Sequence, residues 1–507
     1  MISGPTLRLG NGQPIARSDL PRVSVAEFRE QVVLSVEHGA RLDALFGIPL
    51  SDKVLQIVAV LADAESGEFA LTSTGVRDNY PAITPDCVQA HWFEREIAEQ
   101  WAVTPKGHPW HKPIRFHRAY RPGRDAWGRD ALAPIVPGVT DFFRVEGEEI
   151  HEVAVGPVHA GVIEPGHFRF QCHGERVLHL EVALGYQHRG IERALVTQPH
   201  PRILPYVETL AGDTTIGHTT AYCQAVEALA DCTVPARADV IRGLALELER
   251  LANHVGDLGA LAGDVGYLPT LSFCGRLRGE FLNMSALICG SRFGRSLVRP
   301  GGVSFDIEPS RAEELLARLT KVMRDVKGAV NLLWETPSVL ARFEDTGFVS
   351  QKMAAELGLV GPAARASGLE RDARFDFSTG IFRMAQIPVS TWQSGDVFAR
   401  AWVRWLEIQR SAAFIGEQLR ALPDGPLRSA YANLAPERLV VSMVEGWRGE
   451  ICHVAITDGI GRLAHYKIVD PSFHNWMGLA MAMRNQEISD FPLCNKSFNL
   501  SYCGHDL

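Results

Sequence analysis

Residues 155–227 constrain this chain more than any other stretch. They open VGPVHAGVIEPGHFRF (155–170), pass through GYQHRGIE (185–192) and end ETLAGDTTIGHTTAYCQAVE (208–227). Short apolar runs broken by glycine and proline predict a strand pair with a tight connection in the first segment. The last segment predicts a polar loop entering a helix, with Tyr222, Val226 and Leu229 on one face. His159, His167, His188 and His218 stand among small residues, beside Glu164, Glu192 and Asp213. Polar groups at that density are costly to bury unless they pair or do chemistry, so this stretch is the first candidate for a site.

The rest of the sequence narrows the function classes. A chain of 507 residues is long enough for two or more domains with sizeable cores. A formal net charge of -8 leaves no global basic field, so no nucleic-acid partner is expected. No apolar run approaches the ~18–20 residues of a membrane span. The opening MISGPTLRLGNGQP lacks a basic-then-apolar signal pattern. The expectation is a cytoplasmic protein that meets a membrane through partners. The nine cysteines are scattered with no C-x-x-C pair, which predicts free thiols rather than a local zinc or iron–sulfur site. No strand-linked G-x-G-x-x-G or P-loop is present, so NADH or ATP is not expected to bind directly.

Along the chain, residues up to Pro21 read as an irregular arm. Ser24-Val-Ala-Glu27 is a capping box for a helix to about His38, and 53–63 with 68–74 read as a β-hairpin around Glu65-Ser66-Gly67. HWFEREIAEQWAVTPKGHP (91–109) completes a compact α+β unit; Glu94, Arg95 and Glu96 read there as a solvated helix face. Arginine, proline and glycine over 118–138 mark a linker. Apolar residues three and four apart predict long helices over 236–262, 311–336 and 395–422, a bundle-like body. Asp396, Arg400, Arg404 and Glu407 read as an ion-pair ladder along the last of these. Residues 439–467 alternate as strands before a last helix and tail.

GYQHRGIE, LELERLANHVGDLGALAGDVG, GPAARASGLERDAR and GDVFARAWVR together resemble the large subunit of energy-converting, formate-hydrogenlyase-type (group 4) nickel–iron hydrogenases. They equally resemble its relative, the 49 kDa-type, quinone-proximal subunit of respiratory complex I. The Glu94-Arg95-Glu96-Ile97 and Gly107-His108-Pro109 motifs resemble the 30 kDa-type subunit that the hydrogenlyase family fuses ahead of the large subunit, a resemblance that implies a docking surface at Glu94, Arg95 and Glu96 in place of a solvated face. The resemblance implies an α+β fold: a small N-terminal α+β domain (1–118), a linker (119–147) and a helix-rich body with peripheral β-strands (148–507).

The resemblance also assigns site residues. The hydrogenase family holds its metals with two C-x-x-C pairs, since nickel needs soft, charged thiolates. The early pair falls on Ala211 and Thr214, with His218 at the family's following histidine. The late pair falls on Ser501 and Gly504, and Cys503 is one position out of register. The implied reading is a relative without a nickel–iron centre. Glu164 matches an outer-shell magnesium ligand whose distant partner is missing, and Arg448 matches an arginine overhanging the metals. Glu192 closes a motif shared by both relatives. His159 matches a quinone-proximal histidine of complex I, with His167 able to take the inner position; the accompanying tyrosine falls near Gly212, with Tyr186 and Tyr222 as substitutes. His159, Glu164, His167, Glu192, Asp213, His218 and Arg448 are therefore the candidate catalytic residues. Histidines and perturbed carboxylates can carry protons near neutral pH.

The implied protein is the large subunit of a membrane-associated oxidoreductase complex at the inner face of the cell membrane. Electrons would come from a small iron–sulfur subunit holding a (4Fe-4S) cluster and reach an acceptor, with a quinone as the candidate. Ferredoxin-like and antiporter-like membrane subunits would complete the complex and couple electron flow to ion movement, with no cofactor bound directly by this chain. A non-catalytic structural or energy-coupling subunit is the alternative, and an active hydrogenase component the third.

Overall fold

The structure, a computed structural model, describes residues 5–130, 132–159, 163–196 and 203–507. The fold is α+β. Near the N-terminus, Ser24 accepts the Glu27 N–H and Glu27 returns the bond to Ser24, so the helix Val25–Glu37 starts where the capping box predicts. Strands Leu55–Asp63 and Glu68–Val76 form the expected antiparallel hairpin, and Arg41–Pro49 extends the sheet.

Two expectations for this region are corrected. The supposed arm carries strands: Leu7–Gly10 adds to the hairpin sheet, and Ile15–Ala16 pairs with a strand near the C-terminus. Leu9 and Ile15 are buried, and that apolar pull orders the arm. The helix His91–Trp101 is not solvated on its Glu94-Arg95-Glu96 face, since all three are buried. Glu94 accepts from the N–H groups of Ile83 and Thr84 and from the Thr84 hydroxyl. Arg95 donates to the carbonyls of Lys112 and Pro113. Glu96 pairs with Arg115 and, at 2.6 Å, with Lys467. Through Lys112, Pro113 and Arg115 these charges hold residues 112–115 against the helix, and through Lys467 they tie the helix to the strand Leu463–Val469.

The predicted long helices are Ala236–Asp264, Pro309–Trp334 and Val397–Arg420, which pack with Leu268–Cys289 into the helical body. The supposed ladder does not run along its own helix. Asp396 caps that helix by accepting the Ala399 N–H, Arg400 reaches Ser497, Arg404 pairs with Asp257 at 2.9 Å, and Glu407 joins a buried cluster. The cause is burial. In a dry core each charge seeks the best partner on a facing element rather than its exposed neighbour.

That cluster is the electrostatic centre of the body. Arg365 donates to Glu407 at 2.8 Å and to Glu445 at 2.9 Å. Arg250 reaches Glu247 and Glu407, and Arg374 reaches Glu247 and Asp372. His254 Nε2 lies 2.8 Å from Glu407. Four carboxylates face three guanidiniums, all with side chains at most 1% exposed. Burial raises Glu445 above its usual range. Glu407 stays well below its own, because Arg365 and the His254 bond outweigh burial.

The last sheet places the site. Strands Arg438–Gly446, Gly449–Thr457 and Leu463–Val469 run antiparallel, and the middle one is buried along its whole length. The expected last helix is three: Pro471–Ala482, Phe491–Phe498 and Tyr502–His505. His465 stacks on Phe46 at 5.1 Å, with a buried, unpartnered Nε2. Burial, helped by the Lys467 charge, lowers His465 to about 3. The unfolded chain therefore takes this proton first as pH falls. The stability from keeping the ring neutral is full above the ordinary value of about 6.5 and is lost towards pH 3. His465→Phe keeps the stack and removes the titration. Its melting temperature is expected to fall less steeply than wild type on acidification; identical slopes would show that the ring is not held neutral.

Candidate functional site

The segment 155–170 does not make a tight hairpin. Strands Ile150–Val155 and His167–His173 pair antiparallel as expected, but the connection runs from 156 to 166, and its residues 160–162 lie outside those described. The polar loop after Glu208 enters the helix Thr215–Leu229 as predicted. The first-turn N–H groups of Ile216 and Gly217 donate to Glu249 at 2.7 and 3.2 Å. Burial pushes Glu249 up to about 8 in spite of those bonds.

His218 lies on this helix, fully buried. Its Nε2 is 3.0 Å from Asp470 Oδ2, and its Nδ1 is 3.1 Å from His453 Nε2. His453 Nδ1 is in turn 2.9 Å from the Tyr466 hydroxyl. Burial would raise Asp470, but the His218 bond and the Arg448 charge hold it below its usual range. Burial drives His453 well below its own.

Arg448 sits in the turn between the first two strands of the last sheet and grips Asp213 with both terminal nitrogens, at 2.5 and 2.8 Å. Its Nε donates to the Asn499 carbonyl, and its guanidinium lies 3.9 Å over the Trp447 ring. This fork overcomes the burial that would raise Asp213 and keeps that carboxyl low. Asp213, Glu249 and Asn253 line a crevice of about 20 Å³, completed by Arg278 and Arg292.

Two of the four positions that the resemblance assigns to thiolates, Ser501 and Gly504, lie at the helix Tyr502–His505. Ser501 caps the helix Tyr502–His505, its hydroxyl accepting the Gly504 N–H at 2.9 Å. Cys503 Sγ lies 3.4 Å from that hydroxyl, and burial pushes the thiol up to about 12. At Gly504 there is no room for a side chain. An added Cβ would stand 2.6 Å from the Asp470 carboxyl carbon, a group tied to His218 and to the Ser472 N–H. Among the described residues, no three or more His, Cys, Asp or Glu side chains are grouped to hold a metal ion.

The other candidates are scattered around this centre. Glu164 accepts the N–H groups of Tyr502 and Cys503 at 3.2 and 3.3 Å. The His159 ring faces Tyr502 and Phe168. His167 bonds the Gly156 carbonyl and accepts from Arg169. Glu192 accepts from Lys467 and from the Ile468 N–H, both at 2.9 Å. Glu192→Gln is expected to lower the melting temperature while leaving turnover in the assembled complex unchanged, because this carboxylate serves an ion pair. Lost turnover at an unchanged melting temperature would return it to proton transfer.

Sequence reasoning missed Asp470, His453, Tyr466 and Glu249. Asp470-Pro471 does carry a helix-start signal, and the carboxylate accepts the Ser472 N–H as a cap. Nothing local announces that its second oxygen serves His218.

Residues 264–439 match the model of the family described as respiratory-chain NADH dehydrogenase, 49 Kd subunit. An NADH-quinone oxidoreductase subunit of Clostridium beijerinckii is 30% identical over 63% of this chain and 87% of its own length. The chain belongs to the 49 kDa subunit family. Hydrogenase subunits are relatives too. The carbon monoxide-induced hydrogenase of Rhodospirillum rubrum is 29% identical over 69% of this chain and 97% of that protein. Formate hydrogenlyase subunit 5 of Escherichia coli is 28% identical over 84% and 76%, respectively. This member of the 49 kDa family is thus a complex I-like, hydrogenase-related large subunit. No helix among its described residues is long and apolar enough to cross a membrane.

Proposed function

We propose that this chain receives electrons from an iron–sulfur partner subunit and passes them to an acceptor near Asp213, Arg448 and His218, without a nickel–iron centre, in a complex peripheral to the cell membrane that couples electron flow to ion movement. The observation that carries the metal-free part is Gly504. Its Cβ position is taken by a carboxylate engaged elsewhere, so a thiolate there would have to break the His218–Asp470 pair. Ala211, Thr214 and Ser501 offer no thiolate either, so these residues do not fit nickel. A guanidinium–carboxylate fork beside a buried histidine suits a site where negative charge arrives and protons follow. The names of the relatives, hydrogenase and NADH-quinone oxidoreductase subunits, support redox partners of that kind.

One observation favours a second reading, a coupling subunit without chemistry of its own. The crevice beside Asp213, about 20 Å³, has room for a water but not for a quinone ring. Redox titration of the purified complex with quinone analogues separates the two. Acceptor-dependent turnover supports the first reading, and its absence in an intact complex supports the second. Stoichiometric nickel in the same preparation would overturn the metal-free reading.

A further inference from the structure

We propose that Tyr466, His453, His218 and Asp470 form a loadable proton filament that places one proton on the His218–Asp470 pair when negative charge arrives beside it. The proposal rests on electron delivery to this site. Four side chains from the helix Thr215–Leu229, two strands and the turn after them make three consecutive hydrogen bonds of 2.9, 3.1 and 3.0 Å. All four are at most 1% exposed.

With His218 neutral, one arrangement of protons satisfies all three bonds. With Asp470 ionised, His218 presents Nε2–H to it and a lone pair at Nδ1. His453 must then donate from Nε2 and accept at Nδ1, and Tyr466 must donate its hydroxyl proton. Every donor points towards Asp470. Loading needs no ring to turn. The Tyr466 oxygen takes a proton of solvent origin and releases its own to His453 Nδ1, and the His453 Nε2 proton passes to His218 Nδ1. One O–H bond breaks as another forms on the same oxygen, one N–H bond breaks on His453 as another forms there, and His218 gains one N–H. The product is an imidazolium against the Asp470 carboxylate, with one proton gained and no electron moved. Under the proposed function the arriving charge would be an electron that the iron–sulfur partner supplies to the acceptor.

The surroundings suit a charge-driven event. His218 faces His453 from the middle strand and Asp470 from the start of the helix Pro471–Ala482. Arg448 and Asp213 act on Asp470 and on each other, and His474 lies in the field of Asp470. Glu249 closes the helix start one residue from His218, and Tyr222 flanks the feeding end, its ring centre 6.0 Å from that of Tyr466. The Asp213–Arg448 fork is internally neutral, so arriving negative charge is balanced at His218.

The test is proton uptake during stepwise reduction of the purified complex, followed with a pH-sensitive dye. Tyr466→Phe removes one hydroxyl and keeps the ring. His453→Gln breaks the chain in the middle and guards against a folding defect in the first variant. Wild type is expected to bind one more proton per reduction than either variant, or to bind it ~10²-fold faster. Equal stoichiometry and rate in wild type and both variants overturns the filament while leaving the proposed function standing. A wild-type complex with no reducible acceptor removes both. A variant that melts lower yet takes up protons as wild type does shows the chain to be purely structural and also overturns the proposal.

Discussion

Arg365→Ala is expected to remove about 3–5 kcal/mol of stability, the cost of leaving a buried charge without its partner. The side chain is 0% exposed and bridges Glu407 at 2.8 Å and Glu445 at 2.9 Å. Its loss leaves Glu407 to Arg250 and His254 alone, and leaves Glu445 with the Ala373 N–H. A protein typically holds only about 5–15 kcal/mol in reserve, so the variant should show a much lower urea midpoint and rapid proteolysis at 37 °C. Arg365→Lys supplies charge without the fork and should recover only part. A midpoint unchanged in Arg365→Ala would mean that the cluster is hydrated and that its carboxylates do not depend on this guanidinium.

Gly504→Cys, the substitution that restores one thiolate of the family pattern, is expected to be damaging on a similar scale. The new Cβ would lie 2.6 Å from the Asp470 carboxyl carbon. Overpacking costs about 1–3 kcal/mol, and moving Asp470 also breaks a charge-assisted bond to His218, worth a further ~1.5–3 kcal/mol. The cause is tested by a cycle. Gly504→Ala should be destabilising in wild type and nearly silent in an Asp470→Ala background, a coupling within the ~0.5–3 kcal/mol range of touching residues. Additive effects would place the clash elsewhere. The same geometry predicts that reintroducing cysteines at 211, 214, 501 and 504 yields no nickel binding while Asp470 remains.

The helical body was legible because its faces are long and periodic; Ala236–Asp264 starts at the predicted residue and ends two residues later. Periodicity is silent where burial is complete. In the strand Gly449–Thr457 every residue is buried, so His453 and Cys452 carry no mark of which faces a site. Glu94, Arg95 and Glu96 misled for a related reason. Charges on a short helix default to solvent, and their burial is explained by partners that no local pattern shows: Ile83 and Thr84 for Glu94, the Lys112 and Pro113 carbonyls for Arg95, and Arg115 with the distant Lys467 for Glu96. At the site, Asp213, His218 and Arg448 could each be named from local motifs. That Arg448 forks Asp213 across 235 positions, and that His218 meets Asp470 across 252, is information that only the fold holds.

Glu96 and Lys467 stand 371 residues apart, yet each helps to complete the other's buried surroundings. At a synthesis rate of ~5–20 residues per second, roughly 20–70 s separate the emergence of the first from that of the second. Throughout that interval the N-terminal sheet has a helix whose inward carboxylate lacks one of its two cations. Full pairing of that carboxylate waits for the strand Leu463–Val469. The beginning of the protein is thus expected to become protease-resistant only when its end is made.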